Sequence, residues 1–134
     1  MTVDCVIDNS ALIESVAVAK PDVRLIRRML ASSACAPEII DAEALRVLRS
    51  MNLRQELSSA QAERALTRVS EAPIARVPLK PLVARAWNLR HSVSAYDALY
   101  IALAEVFDVP LLTCDAKLAR SNGHNAKIEL FPNG

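Results

Sequence analysis

Val3-Asp4-Cys5-Val6-Ile7-Asp8-Asn9-Ser10 reads as a short apolar run that stops at an acid and turns at once into a helix. Leu111-Leu112-Thr113-Cys114-Asp115 repeats the pattern near the other end of the chain, with Asp115 heading a short helix to about Arg120. A brief, near-continuous apolar run suits a strand buried on both faces, which is the parallel-sheet case. Working outward, helical segments separate further strands. Ser10 to about Val18 is a helix, and Lys20-Pro21-Asp22 opens a second to about Ser32, with Asp22 as its N-cap. Strands follow at residues 34–37 and 74–77, with a possible last strand at 128–130. Between them lie helices over 38–52, from Ser58-Ser59 to about Ala72, over 79–90 and over 95–107.

Apolar stripes place these helices against a core. In the 38–52 helix the stripe is Ile40, Ala44, Val47, Leu48 and Met51; in the next it is Ala62, Leu66 and Val69. The 95–107 helix is apolar nearly all round and reads as central and buried. Hairpin turn signals are missing, so the strands are joined by helical crossovers. The expected fold is α/β, a three-layer α/β/α arrangement with a central parallel sheet of four to five strands, in one domain over 1–134.

Composition narrows the function classes. Hydrophobic residues make up 52% of the 134 residues, which excludes a disordered chain. The net charge is +1, so a polyanionic partner would need a local basic surface. No stretch approaches the roughly 18 apolar residues of a membrane helix. Asp4 and Asp8 interrupt the first apolar run, and no basic region precedes it, which argues against a signal peptide. Cys5, Cys35 and Cys114 are odd in number and far apart. They read as small buried thiols in a reducing cytoplasm.

Four acids lie where a strand or loop hands over to a helix, or on a helix edge beside a cleft: Asp8, Glu43, Asp97 and Asp115. Each has an ordinary reading. Asp8 and Asp115 suit helix N-caps, although Asn9 and Ser10 could cap in place of Asp8. Ser94-Ala95-Tyr96-Asp97 has capping-box spacing. Glu43 suits a solvated flank, with Asp41 across the stripe and Glu38 in the first turn. Jointly they read differently, because groups at the carboxyl ends of parallel strands converge on one crevice. Carboxylates gathered there repel one another unless a cation lies between them.

Four segments carry a family resemblance: Val6-Ile7-Asp8-Asn9-Ser10-Ala11-Leu12, Pro37-Glu38-Ile39-Ile40-Asp41-Ala42-Glu43, Ser94-Ala95-Tyr96-Asp97-Ala98-Leu99-Tyr100-Ile101-Ala102-Leu103-Ala104, and Leu111-Leu112-Thr113-Cys114-Asp115-Ala116-Lys117-Leu118-Ala119. In order and spacing the chain resembles a PIN domain, specifically a VapC-type toxin ribonuclease of a type II toxin–antitoxin pair. The resemblance implies that Asp8, Glu43, Asp97 and Asp115 are catalytic and hold one or two Mg²⁺ or Mn²⁺ ions. It makes Ser10 and Thr113 their supports and leaves Asp41 a contender for the role of Glu43. It implies endonucleolytic cleavage of RNA, a small cognate antitoxin and a homodimer. Val23 to Leu30 offers a docking surface, and Arg27, Arg28, Arg46, Arg49 and Arg90 offer phosphate contacts.

Rival readings remain. A haloacid-dehalogenase-like phosphatase wants a second Asp two residues after the first, where Ser10 stands. A phosphoacceptor receiver wants its Asp on a middle strand, and residues 74–77 offer only Arg76. A non-catalytic RNA-binding PIN fold is the alternative from another class.

Overall fold

The computed structural model describes residues 2–132. Five strands form one all-parallel sheet: β1 (Cys5–Ile7), β2 (Ala34–Pro37), β3 (Ile74–Val77), β4 (Leu111–Thr113) and β5 (Ile128–Leu130), in the order β3-β2-β1-β4-β5. Helices α1 (Asn9–Ala17) and α2 (Val23–Leu30) join β1 to β2, and α3 (Ile39–Leu53) and α4 (Ser59–Glu71) join β2 to β3. A 3-10 turn at Lys80–Leu82, α5 (Val83–Asn88) and α6 (Ala95–Phe107) lead to β4, and α7 (Ala116–Ala119) precedes β5.

Right-handed crossovers decide the layering. From β1 the chain steps outward to β2 and β3, so α1 to α4 cover one face. It then crosses back over the sheet to β4 and on to β5, so α5 to α7 cover the other. The direction of travel reverses between β1 and β4, and that switch point leaves a crevice at the carboxyl ends of those two strands.

The first and fourth strands are apolar almost throughout because both their faces are covered; Cys5, Val6, Ile7, Leu111, Leu112 and Thr113 are all buried. Helix α6 is capped at its start by Ser94, whose hydroxyl accepts the Asp97 N–H, and stops at Asp108, which adopts a left-handed φ of 52°. Helix α4 opens with the reciprocal capping box of Ser58 and Gln61.

Three expectations need correction. Leu66 is exposed and Ala65 takes the inward position beside Val69, which shifts the buried stripe of α4 by one residue. Residues 79–90 do not form one helix: with Pro81 lacking an N–H, the chain starts as a 3-10 turn and becomes α-helical only from Val83. Tyr96 near the start of α6 and Val106 and Phe107 at its end are exposed, so the buried part of that helix runs only from Ala98 to Ala104. Glu14, which no motif singled out, is a buried acid on α1; its Oε2 accepts the Asp22 N–H at 3.2 Å and ties α1 to the start of α2.

Candidate active site

The chain enters α1, α3, α6 and α7 at the carboxyl edge of the sheet, because each of these helices either follows a strand end or runs back antiparallel to the strands. Asp8 is the N-cap of α1 and Asp115 that of α7, while Asp97 lies in the first turn of α6 and Glu43 one turn into α3. Four carboxylates from four elements thus border the β1/β4 switch point.

Asp8 is the most constrained. Its Oδ1 accepts from Ser10 Oγ at 2.7 Å and from the Ala11 N–H at 2.9 Å, and its Oδ2 accepts from Thr113 Oγ1. Both hydroxyls also accept: Ser10 Oγ from the Cys114 N–H at 2.9 Å, and Thr113 Oγ1 from the Asp115 N–H at 3.0 Å. The end of β1 and the end of β4 are therefore clasped through Asp8, which has donated hydrogen bonds on three of its roughly four lone-pair positions and one left on Oδ2. Asp8 does cap α1 itself, contrary to the expectation that Asn9 and Ser10 would free it; Ser10 is turned toward the carboxylate instead.

Electrostatics bind the acids into one system. Burial, opposed by the Thr113, Ala11 and Ser10 hydrogen bonds and reinforced by the charge of Asp97, raises the Asp8 carboxyl from 3.8 to about 6. Burial also raises Glu43, against the Tyr100 hydrogen bond and Arg46 and with the charge of Asp97. Asp97 is raised by burial and then by Asp115, while Ser94 and Lys117 pull it down. Asp97 is the hub, since its charge is felt at both Asp8 and Glu43. The expected capping box is only half formed: the Ser94 hydroxyl accepts the Asp97 N–H at 3.2 Å, and the reciprocal bond is not made.

Asp115 Oδ1 accepts the Lys117 N–H at 2.9 Å, so the acid that heads α7 is also its cap. Asp41 is paired elsewhere: its two oxygens take Arg76 Nη2 at 3.0 Å and Nε at 3.2 Å, whereas Glu43 accepts from Tyr100. Among the described residues, no three His, Cys, Asp or Glu side chains stand close enough to share one ion.

Tyr100 was missed by motif reasoning. It is buried on α6 and donates to Glu43 Oε1 at 2.6 Å. The available signal was its position, three residues after Asp97 and hence on the same helix face. Cys114, adjacent to the site, is no nucleophile, since burial and neighbouring acids push its thiol up to about 12.

Beside Asp97 the surface opens into a groove of about 510 Å³ whose walls include Arg90, His91, Lys117 and Arg120. Arg90 stacks over the Trp87 ring at 4.5 Å from its centroid. Arg28 is not available to a ligand, being paired with Glu129 at 2.9 and 3.2 Å.

The PIN domain family model matches residues 5–123. Ribonuclease VapC1 of Mycobacterium tuberculosis is 40% identical over 129 residues, spanning 95% of this chain and 97% of its own. Ribonuclease VapC12 of the same organism is 38% identical over 125 residues, spanning 93% and 97%. The crystal structure of VapBC-5, a member of the VapBC family of toxin–antitoxin systems from Mycobacterium tuberculosis, superposes with a TM-score of 0.57 at 22% identity over 98% of this chain and 99% of that one. An all-parallel sheet with its switch point at β1/β4, this sequence kinship and the match over nearly the whole chain agree: the protein belongs to the PIN domain family.

Proposed function

We propose that this chain is a metal-dependent endoribonuclease and the toxin of a toxin–antitoxin pair. The observation that carries the reading is the meeting of Asp8, Glu43, Asp97 and Asp115 at the switch point, three of them held above their ordinary pKa by burial and by one another. Neutral side chains would be the cheaper way to build a merely structural edge there. The kinship with proteins named ribonuclease VapC supports the reaction class.

The donor set fits Mg²⁺ or Mn²⁺. It is all oxygen, and a cation of this kind is held by one or two carboxylates while keeping several waters, so paired acids suffice. Asp97 paired with Asp8, through its open position, or with Glu43, through Oε2, would hold an ion, which allows one or two in all. When bound, such an ion lowers the pKa of a water and offsets the charge of a phosphate.

The remaining work falls to the chain. Ser10 and Thr113 keep Asp8 in place, and Asp115 and Asp97 orient the attacking water and accept its proton. Arg90, His91, Lys117 and Arg120 line the adjoining groove where flanking phosphates can lie. The water oxygen joins phosphorus, the bond to the 3′-oxygen breaks, and that oxygen takes a proton from solvent, leaving a 3′-hydroxyl and a 5′-phosphate.

Two apolar surfaces suit protein partners. A groove of about 200 Å³ between α1, α2 and β3, lined by Leu12, Val16, Ile26, Met29, Leu30 and Ile74, suits an apolar antitoxin helix. Exposed Val83, Trp87, Tyr96, Val106 and Phe107 on α5 and α6 suit a second copy of the chain. A cytoplasmic setting agrees with three buried, unpaired thiols.

The test is to incubate purified chain with RNA in Mg²⁺ or Mn²⁺ and sequence both product ends. Cleavage that stops on adding EDTA and leaves 5′-phosphates is expected. RNA retained by the chain but never cut would favour the non-catalytic alternative.

A further inference from the structure

Tyr100 is 1 % exposed, yet its hydroxyl ends in the acidic crevice rather than in the core. It reaches from α6 on one face of the sheet to Glu43 on α3 on the other, at 2.6 Å. We propose that Tyr100 is a positioning residue, whose phenol fixes the Glu43 carboxylate toward Asp97 and leaves Oε2 to face a divalent cation. This rests on the metal-site reading above.

The physical case has three parts. Glu43 is half-buried on the edge of α3, and its long side chain is repelled by Asp97; left alone, such a carboxylate turns out to water. A hydrogen bond from a buried phenol to a charged oxygen opposes that escape. The phenol is buried on a packed helix, and its hydroxyl points its proton at Glu43 Oε1 from 2.6 Å. It is therefore a fixed donor. Finally, Tyr100 follows Asp97 by three residues, so one orientation of α6 presents both the hub acid and the group that aims its neighbour. Among the described residues, Oε2 has no hydrogen-bond donor, whereas Oε1 has Tyr100.

Tyr100→Phe removes the hydroxyl and keeps the ring that fills the core. Mn²⁺ binding is measured by calorimetry and by electron paramagnetic resonance, with no RNA present, on wild type, Tyr100→Phe, Glu43→Gln and the double variant. Circular dichroism checks that each is folded. The expected result is a Kd for Mn²⁺ raised about tenfold in Tyr100→Phe, with no further rise when the change is added to Glu43→Gln. RNA cleavage by Tyr100→Phe should recover at saturating Mn²⁺, with KM for RNA unchanged. An unaltered Mn²⁺ Kd in Tyr100→Phe overturns the proposal, as does a loss that persists in full on the Glu43→Gln background. Wild type that takes up no Mn²⁺ would instead remove the metal-site reading, and the positioning role with it.

Discussion

At the scale of single residues, Asp8 shows how a site opposes stability. Its carboxyl is pushed from 3.8 in the free side chain to about 6 in the fold, so the folded chain holds that proton more tightly than the unfolded one. The stability this contributes is complete below about pH 4 and is lost as pH rises through about 6. A shift of roughly two units corresponds to about 3 kcal/mol. Asp8→Asn keeps an acceptor for Ser10 and Ala11 and carries no charge. In metal-free buffer the variant should therefore be more stable than wild type at pH 7.5 and little different at pH 4, when urea unfolding is followed at both. Equal stability of the two chains at pH 7.5 would show that the carboxylate is not strained.

That residue was legible in the sequence as an acid at a strand end. Its partners were only half so. Ser10 and Thr113 were readable as supports, but their clasp, in which each hydroxyl gives its proton to Asp8 and takes a backbone N–H from the β4 end, depends on the β1–β4 pairing. A pairing between distant segments leaves no local mark in the chain. Tyr100 was hidden for the same reason.

At the scale of elements, Arg76 accounts for the identity of the acid on α3. Its guanidinium donates to both Asp41 oxygens and to the carbonyls of Val69, Ala72 and Ile74, joining α3, the end of α4 and β3. A planar fork of five donors is what such a junction uses, and a Lys cannot reproduce it. Arg76→Lys should cost about 2 kcal/mol in urea unfolding while leaving Mn²⁺ binding intact; a loss of Mn²⁺ affinity would mean that Asp41 belongs to the site after all. Element positions were well marked by Pro, caps and apolar runs: β2, β3, β4, β5 and α6 lie where the sequence puts them. The misread elements had weak local signals. In α4 small Ala65 is buried and larger Leu66 is not, so hydrophobicity alone points to the wrong face. Around Pro81 the first turn tightens in a way periodicity does not register.

At the scale of the whole molecule, topology assembles what the sequence scatters. Strand order β3-β2-β1-β4-β5 makes neighbours of β1 and β4, from opposite ends of the chain, and so brings Asp8 onto Thr113, two residues before Asp115. Alternation of strands and helices announced a parallel sheet; the order of its strands was not legible, because pairing joins segments distant in the chain. The near-neutral net charge likewise concealed a local asymmetry, with acids in the crevice and cations along the groove beside it.

The central claim is that these carboxylates act together on an RNA phosphodiester, with Asp97 as the hub. The most direct measurement compares RNA cleavage by wild type and Asp97→Asn, both purified free of contaminating nuclease and assayed in saturating Mn²⁺. The account predicts a fall of at least about a hundredfold, on the scale of losing a positioned acid–base group, with the native circular dichroism spectrum retained. Undiminished cleavage by folded Asp97→Asn would contradict it.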